Sequence, residues 1–213
     1  RVWISGCSTG EEAYSLAIVF KDVMDKLKPY KDFSIQIFAT DLDGESIDKA
    51  REGIFSINIA KDMSTECLNK YFVKVDRGYQ VVSKIRDMVI FAQQNMIKDP
   101  PFTKIDIMIC RNLLIYLTPE IQKKLIPLFH YSLNSGGFLF LGSAESVGNF
   151  TNLFKPLDLK SRIYQRLRPL IQVEPIEFPN SFAPYQSEVN QPSTEVQNMQ
   201  SMADKLKIGR AHV

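Results

Sequence analysis

Residues 1–18, Arg1-Val-Trp-Ile-Ser-Gly-Cys-Ser-Thr-Gly-Glu-Glu-Ala-Tyr-Ser-Leu-Ala-Ile18, decide the fold. Residues 2–5 have the length and apolar character of a short buried strand, Gly6 and Gly10 supply a tight turn, and a helix begins at once. That order is how an open α/β sheet builds a ligand cradle: the glycines let the backbone approach a ligand, and the new helix presents unpaired N–H groups. The residues opening the helix are unusual for a nucleotide site. Glu11 and Glu12 suit the positive end of the helix dipole but would repel a pyrophosphate. No Gly-Lys-Ser/Thr follows the turn, so it is not a P-loop, and its G-x-x-x-G spacing departs from the G-x-G-x-x-G of dinucleotide folds. A cofactor that is adenosine-like, lacks phosphate and carries positive charge fits such a cradle. An ordinary strand-turn-helix with an acidic start fits this stretch equally well on its own.

Working outward, Ala13, Leu16, Ala17, Phe20, Met24 and Leu27 recur at helical spacing and predict an amphipathic helix over residues 11–28, ended by Pro29. Residues 34–41 read as a second strand delivering Asp41 at its carboxyl end, before Asp43, Gly44 and a helix over 45–51. In doubly wound sheets the ligand lies outside the carboxyl ends of the strands, where an acidic side chain accepts hydrogen bonds from ribose hydroxyls. Asp41 stands where that role requires; an Asx-turn or N-cap is its plainer reading. The βα rhythm lapses over residues 54–87. A short helix over 65–72 and a hairpin turning at Asp76-Arg77-Gly78 predict a small antiparallel insertion at the edge of the main sheet. Residues 88–92 resume the core as a third strand, with the polar Gln93, Gln94 and Asn95 at its end.

The run Ile105-Asp-Ile-Met-Ile-Cys110 is nearly continuous in apolar residues, as expected of a central parallel strand, and ends in Cys110-Arg111-Asn112. A helix follows from Pro119, capped by Thr118, to about Leu133, with a kink expected at Pro127. Asn134-Ser-Gly-Gly137 predicts a turn, residues 138–142 a strand, 143–148 a loop on the same carboxyl edge, and 161–166 the last strand of a closing hairpin. Arg111 invites pairing with Asp106 or Glu145.

Composition narrows the function. The 213 residues hold 26 basic against 24 acidic side chains, so no global field recruits nucleic acid or an anionic membrane. An apolar share of 45% with 23% charged residues is that of a globular domain without a membrane span. Cys7, Cys67 and Cys110 are widely spaced and form no C-x-x-C pair, which argues for free thiols in a reducing, cytoplasmic setting; with only two histidines, no metal site is expected. The chain opens on a strand without an initiator Met, so an upstream part is expected. Residues 169–195, rich in Pro, Ser, Asn and Gln, read as a disordered linker, and 196–207 as the start of a helix leading to a further domain. Residues 208–213, Ile-Gly-Arg-Ala-His-Val, match the translation of a common sequencing-adapter sequence and are expected to be an artefact.

Four segments together carry a family resemblance: GCSTGEEAYSLA at 6–17, FATDLD at 38–43, FAQQNMIKDPPF at 91–102, and ICRNLLIY at 109–116 followed by GGFLFLGSAES at 136–146. They resemble the CheR chemotaxis-receptor glutamate methyltransferases, which use S-adenosylmethionine and release S-adenosylhomocysteine. The wording of residues 99–117 is most similar to the branch fused to a methylesterase domain and sensory (PAS) domains. The resemblance implies an α/β fold over residues 1–168, a doubly wound, mostly parallel Rossmann-like sheet of the class I methyltransferase kind, with its insertion at about 55–87. The family's amino-terminal helical domain has no counterpart in these residues. The resemblance also implies roles: Glu12, or Glu11 in the other register, contacts the cofactor and Asp41 holds its ribose. Asn95 and Met96 flank the adenine, Cys110 and Arg111 line the methionine portion, Asn112 supports the loop, and Tyr116 stands near the transferred methyl. The implied partner is a protein, a chemoreceptor cytoplasmic domain or similar, with no nucleic acid and no membrane insertion. The family's longer receptor-tail loop is replaced here by the tight 76–78 turn.

The residues agree with that chemistry. A glutamate side chain, with a pKa near 4.3, is already ionised at neutral pH, so its methylation needs no general base. Two other readings stay open on sequence: a catalytically inactive, cofactor-binding regulatory module of a sensor protein, and a methyltransferase of the same fold with another nucleophile.

Overall fold

The computed structural model describes residues 1–27 and 34–168. Its main sheet has seven strands: β1 (Val2–Ser5), β2 (Ile37–Asp41), β6 (Val89–Gln93), β7 (Ile105–Cys110), β8 (Leu133–Leu141), β9 (Phe154–Asp158) and β10 (Ile163–Arg166), in the order β6-β2-β1-β7-β8-β10-β9. Every pairing from β6 to β8 is parallel, and β10 returns antiparallel between β8 and β9. The chain winds from β1 outward to β2 and β6, then crosses back to β7 and β8. The reversal lies between β1 and β7, and in sheets of this kind the ligand binds there, outside the carboxyl ends of the strands. The expected doubly wound, mostly parallel sheet is present.

Side-chain alternation sorts the core into two layers. Val2, Ile4, Ile37, Ala39 and Ile109 pack on one face with helix α1 (Glu11–Leu27) and helix α2 (Gly44–Glu52). Trp3, Phe38, Met108, Cys110, Leu139 and Leu141 pack on the other with helix α6 (Pro119–Ser132). Two polar side chains inside this core are satisfied within it: Trp3 Nε1 donates to Thr40 Oγ1 at 3.0 Å and Ser5 Oγ to the Ile109 carbonyl at 3.3 Å.

Several expectations need correction. The buried face of α1 is made by Ala13, Tyr14, Ala17 and Ile18, with Leu16 and Phe20 partly buried, whereas Leu27 is 71% exposed. Small Ala13 and Ala17 bring the helix close to the sheet, so the flanking Tyr14 and Ile18 take the contacts. Tyr14 is fixed there by donating its hydroxyl to the Ala50 carbonyl at 2.8 Å. The expected small antiparallel insertion is present, but as a separate three-stranded sheet of β3 (Ile54–Phe55), β5 (Gly78–Val81) and β4 (Phe72–Val75), in that order, that adds no strand to the edge of the main sheet. It packs through Tyr71, Phe72 and Val81 onto the α1 side of the core. Short helices α3 (Ile59–Asp62), α4 (Thr65–Tyr71) and α5 (Ser83–Arg86) connect it.

The predicted turn over 134–137 is part of β8. From Ile105 to Ile107 the partner strand moves from Leu133 to Phe138, so the glycines form a bulge with Gly136 at φ +78°. Thr118 caps α6 with its carbonyl, which accepts from Gln122 N at 3.0 Å, while its side chain makes no capping bond. Pro127 lies inside α6. The readings of 169–195, 196–207 and 208–213 fall outside the described residues.

Candidate cofactor site

The turn between β1 and α1 consumes its own N–H groups. Gly6 N and Cys7 N both donate to the Thr40 carbonyl at 2.7 and 3.0 Å, Gly10 N donates to the Cys7 carbonyl at 3.0 Å, and Ser8 N donates to Asp41 Oδ2 at 2.7 Å. Gly6, Ser8 and Gly10 all have positive φ, at 72°, 50° and 92°. A Cβ on Gly10 would lie 3.1 Å from both Ala50 Cβ and Phe91 Cζ, so glycine is required there by conformation and by space. A phosphate cradle needs several free N–H groups pointing outward. These four are turned inward, and the helix start carries carboxylates.

Asp41 is the hub of this arrangement. Besides Ser8, its Oδ1 accepts from Asp43 N at 2.9 Å, the Asx-turn contact, and its carbonyl accepts from Gln94 N at 2.9 Å. The same residue thus ties the first turn, the start of α2 and the end of β6. Each carboxylate oxygen keeps a second lone pair for a ligand hydroxyl. Asp43 is the N-cap of α2, accepting from Glu45 N at 3.3 Å.

Across the reversal, Arg111 Nη1 donates to Glu12 Oε1 at 2.6 Å, with side chains 43% and 27% exposed, and the guanidinium lies 5.2 Å from the Phe140 ring centroid. Neither expected partner of Arg111 is used. Asp106 accepts from Asn134 Nδ2 at 2.7 Å, and Glu145 accepts from backbone N–H groups. Of the two glutamates opening α1, Glu12 meets Arg111, while Glu11 turns back to Thr9 Oγ1 at 2.7 Å. The pair offers a cation and an anion side by side, at half-exposed positions on the ligand edge.

The remaining expected residues divide. Asn95 follows β6 on the same edge, but its Oδ1 accepts from Ile97 N and Lys98 N at 3.0 and 3.2 Å and so organises its own turn. Met96 is partly buried against the α6-side core. Cys110 is completely buried among Trp3 and Met108, and desolvation pushes its thiol up to about 12, so its side chain belongs to the core and not to an open crevice wall. Tyr116 ends the 3₁₀ turn Leu114–Tyr116 and stays 40% exposed. Asn112 adopts φ 55° at the corner after β7.

Two residues carry more than their sequence context signalled. Glu145 is 4% exposed and accepts from the backbone N–H groups of Asn112, Leu113, Leu114 and Gly142. Gln94 is 8% exposed, donates to the Pro100 carbonyl at 2.9 Å, and leaves its buried Oε1 without a partner. An acid immediately after an apolar strand and a glycine, as in Leu141-Gly-Ser-Ala-Glu145, was the available sign of the first.

Fold and sheet edge define a class: a doubly wound domain whose carboxyl edge, with Asp41 and the Glu12–Arg111 pair, suits a non-phosphorylated nucleoside with a charged tail. The chain belongs to the CheR methyltransferase family, and residues 1–163 match the description of its SAM-binding domain, so S-adenosylmethionine is the cofactor of this fold. An uncharacterized 104.1 kDa protein in the hypE 3' region of Rhodobacter capsulatus is 40% identical over 169 residues, 79% of this chain and 18% of that one. Chemotaxis protein methyltransferase 2 of Vibrio cholerae is 37% identical over 158 residues, 72% of this chain and 54% of that protein. The chain therefore spans about half of the Vibrio relative and under a fifth of the Rhodobacter one. Among solved structures, an RNA methyltransferase from Salinibacter ruber in complex with S-adenosyl-L-homocysteine superposes with a TM-score of 0.46 at 15% identity, covering 83% of this chain and 85% of that one. Among the described residues, no helix is long and apolar enough to cross a membrane.

Proposed function

We propose that this domain methylates glutamate side-chain carboxylates of a chemoreceptor or related signalling protein, giving methyl esters. The observation that carries the reading is the Glu12–Arg111 pair at 2.6 Å across the strand reversal, with Asp41 on the same sheet edge. S-adenosylmethionine, when bound, supplies an electrophilic methyl group on a sulfonium. Asp41 would accept from the ribose hydroxyls, Glu12 would face the amino group of the tail, and Arg111 would face a carboxylate, either that of the tail or that of the substrate. Asn95 and Met96 would border the adenine, and Tyr116 would lie beside the transferred methyl.

The residues of the edge do the remaining work by orientation. A substrate carboxylate is ionised at neutral pH, so the domain has no proton to remove and no need of a histidine base. As carboxylate and sulfonium give a neutral ester and thioether, charge disappears, and a site that excludes water favours that change. Arg111 and Tyr116 would hold the carboxylate in line. Cys110, buried and protonated, would contribute only its backbone at the strand end.

The proposal extends to the parent protein: a longer cytoplasmic chain with further domains of the methylesterase and sensory (PAS) kind. In support, the Rhodobacter relative is 104.1 kDa and the match covers 18% of it. The test is incorporation of labelled methyl from S-adenosylmethionine into receptor cytoplasmic domains. Label released as methanol under mild alkali is expected of a carboxyl ester; base-stable label refutes the glutamate assignment.

A further inference from the structure

Glu145 lies outside every role assigned above. It is a carboxylate 4% exposed on the ligand edge, and among the described residues no cation forms an ion pair with it. Its oxygens are instead filled by backbone donors: Oε1 by Leu113 N and Leu114 N, each at 2.8 Å, and Oε2 by Asn112 N at 3.1 Å and Gly142 N at 2.6 Å. Three of the four donors belong to the corner after β7, the segment that carries Arg111 at its start and Tyr116 at its end. The fourth belongs to the strand end of β8. Gly142 leaves the space for this contact, since a Cβ there would sit 2.6 Å from Glu145 Oε2 and 3.0 Å from Asn112 N.

We propose that Glu145 is a positioning residue for methyl transfer: it latches the corner after β7 to the end of β8 and so fixes where Arg111 and Tyr116 stand. The inference rests on the functional reading above and extends it to a residue that touches neither cofactor nor substrate. Its physical basis is that an ionised carboxylate is acceptor-only and can satisfy several N–H groups at once, whereas an amide of the same size turns a donor toward them. Asn112 stands at φ 55°, a left-handed conformation that asparagine tolerates better than most side chains, and two latch bonds, from its own N–H and from that of Leu113, fix the corner there. With the latch released, the corner relaxes, Arg111 leaves Glu12, and the exposed Tyr116 loses its fixed direction.

The test uses the full chain, with S-adenosylhomocysteine as the calorimetric probe. Glu145→Gln is expected to weaken its binding at least about fivefold, and Arg111→Ala to weaken it as well. In the Arg111→Ala background, Glu145→Gln should cost less than about twofold, because the side chain through which it acts is gone. Equal losses in both backgrounds, or unchanged binding by Glu145→Gln alone, overturn the proposal. Unaltered chain that binds neither S-adenosylmethionine nor S-adenosylhomocysteine would count against the functional reading instead. If Glu145→Gln does not fold, amide exchange in the unaltered chain decides. Protection at Asn112, Leu113, Leu114 and Gly142 that rises with S-adenosylhomocysteine supports the latch. Exchange there at the rate of an unstructured peptide, or no response to the probe, overturns it.

Discussion

Asp41→Ala separates the structural and the ligand roles of one carboxylate. In the free protein Asp41 accepts from Ser8 N at 2.7 Å and Asp43 N at 2.9 Å. Hydrogen bonds to a charged group are worth about 1.5–3 kcal/mol each when buried, but this site is partly open, so water re-solvates the freed N–H groups. About 1 kcal/mol per bond is the reasonable share, or about 2 kcal/mol for the pair, which for a domain of this size lowers the melting temperature by about 4–8 °C. On the proposed reading, a further charged hydrogen bond to the ribose is lost only in the complex. At about 1–3 kcal/mol it weakens S-adenosylhomocysteine about 5- to 150-fold. Thermal melts give the first quantity and calorimetry of the folded variant the second. Asp41→Asn keeps one acceptor and should fall between. A variant that melts lower yet binds within twofold of the unaltered protein would reduce Asp41 to a staple of the turn and remove it from the cofactor site.

Three other outcomes follow from the same coordinates. Gly10→Ala forces an alanine to φ 92° with its Cβ 3.1 Å from Ala50 and Phe91, so it should cost about 2–4 kcal/mol in chemical denaturation; an unchanged midpoint would mean the turn has another conformation. Alkylation at pH 8 followed by peptide mass spectrometry should label Cys67, which is partly exposed, and spare Cys7 and Cys110, whose thiols burial pushes upward, Cys110 to about 12; native labelling of either buried thiol contradicts the packing. Burial lowers the His130 pKa below its ordinary 6.5, with Nε2 at 2.9 Å from the Leu167 carbonyl. The protonated form is therefore disfavoured in the fold. Its contribution to stability is complete above the unfolded value and is lost as pH falls through the lower folded value, so melting temperature should drop from pH 8 to pH 5, and the drop should shrink in His130→Gln.

What the sequence disclosed was whatever depends on one element at a time. Strand β1 shows its two faces in its own alternation, with Val2 and Ile4 on one side of the sheet and Trp3 on the other. The carboxyl ends of β2 and β7 are marked by Asp41 and by Cys110-Arg111-Asn112 before any pairing is known. Where a local signal had a tertiary competitor, the reading failed. Gly136 and Gly137 spell a turn by composition, but the ladder with β7 absorbs them as a bulge, because a glycine at φ 78° serves either purpose. Leu27 completes a helical stripe by spacing, yet the stripe turns away from the sheet before it reaches that residue.

The partner of Arg111 was the least legible, since Glu12 lies 99 positions away in the sequence. By sequence Arg111 invited Asp106 or Glu145, and sheet topology gave it neither: its partner is Glu12, at the opposite side of the strand reversal. That choice has a chemical consequence. A buried, fully satisfied Arg111–Glu145 pair would have closed the edge, because a cation neutralised in the interior is costly to draw toward a ligand. The backbone claims Glu145 instead, and this leaves Arg111 with Glu12 in a partly exposed pair, which gives up less on exchange for a charged ligand than a buried pair would. The corner is thus held by main-chain bonds while its guanidinium stays available, and the first turn repeats the division: its N–H groups are spent on Thr40 and Asp41, and its carboxylate at Glu12 faces outward. Rigid backbone beneath exchangeable charges is the arrangement an aligned displacement requires, since orientation must survive while the ion pair that first occupied the site is rearranged.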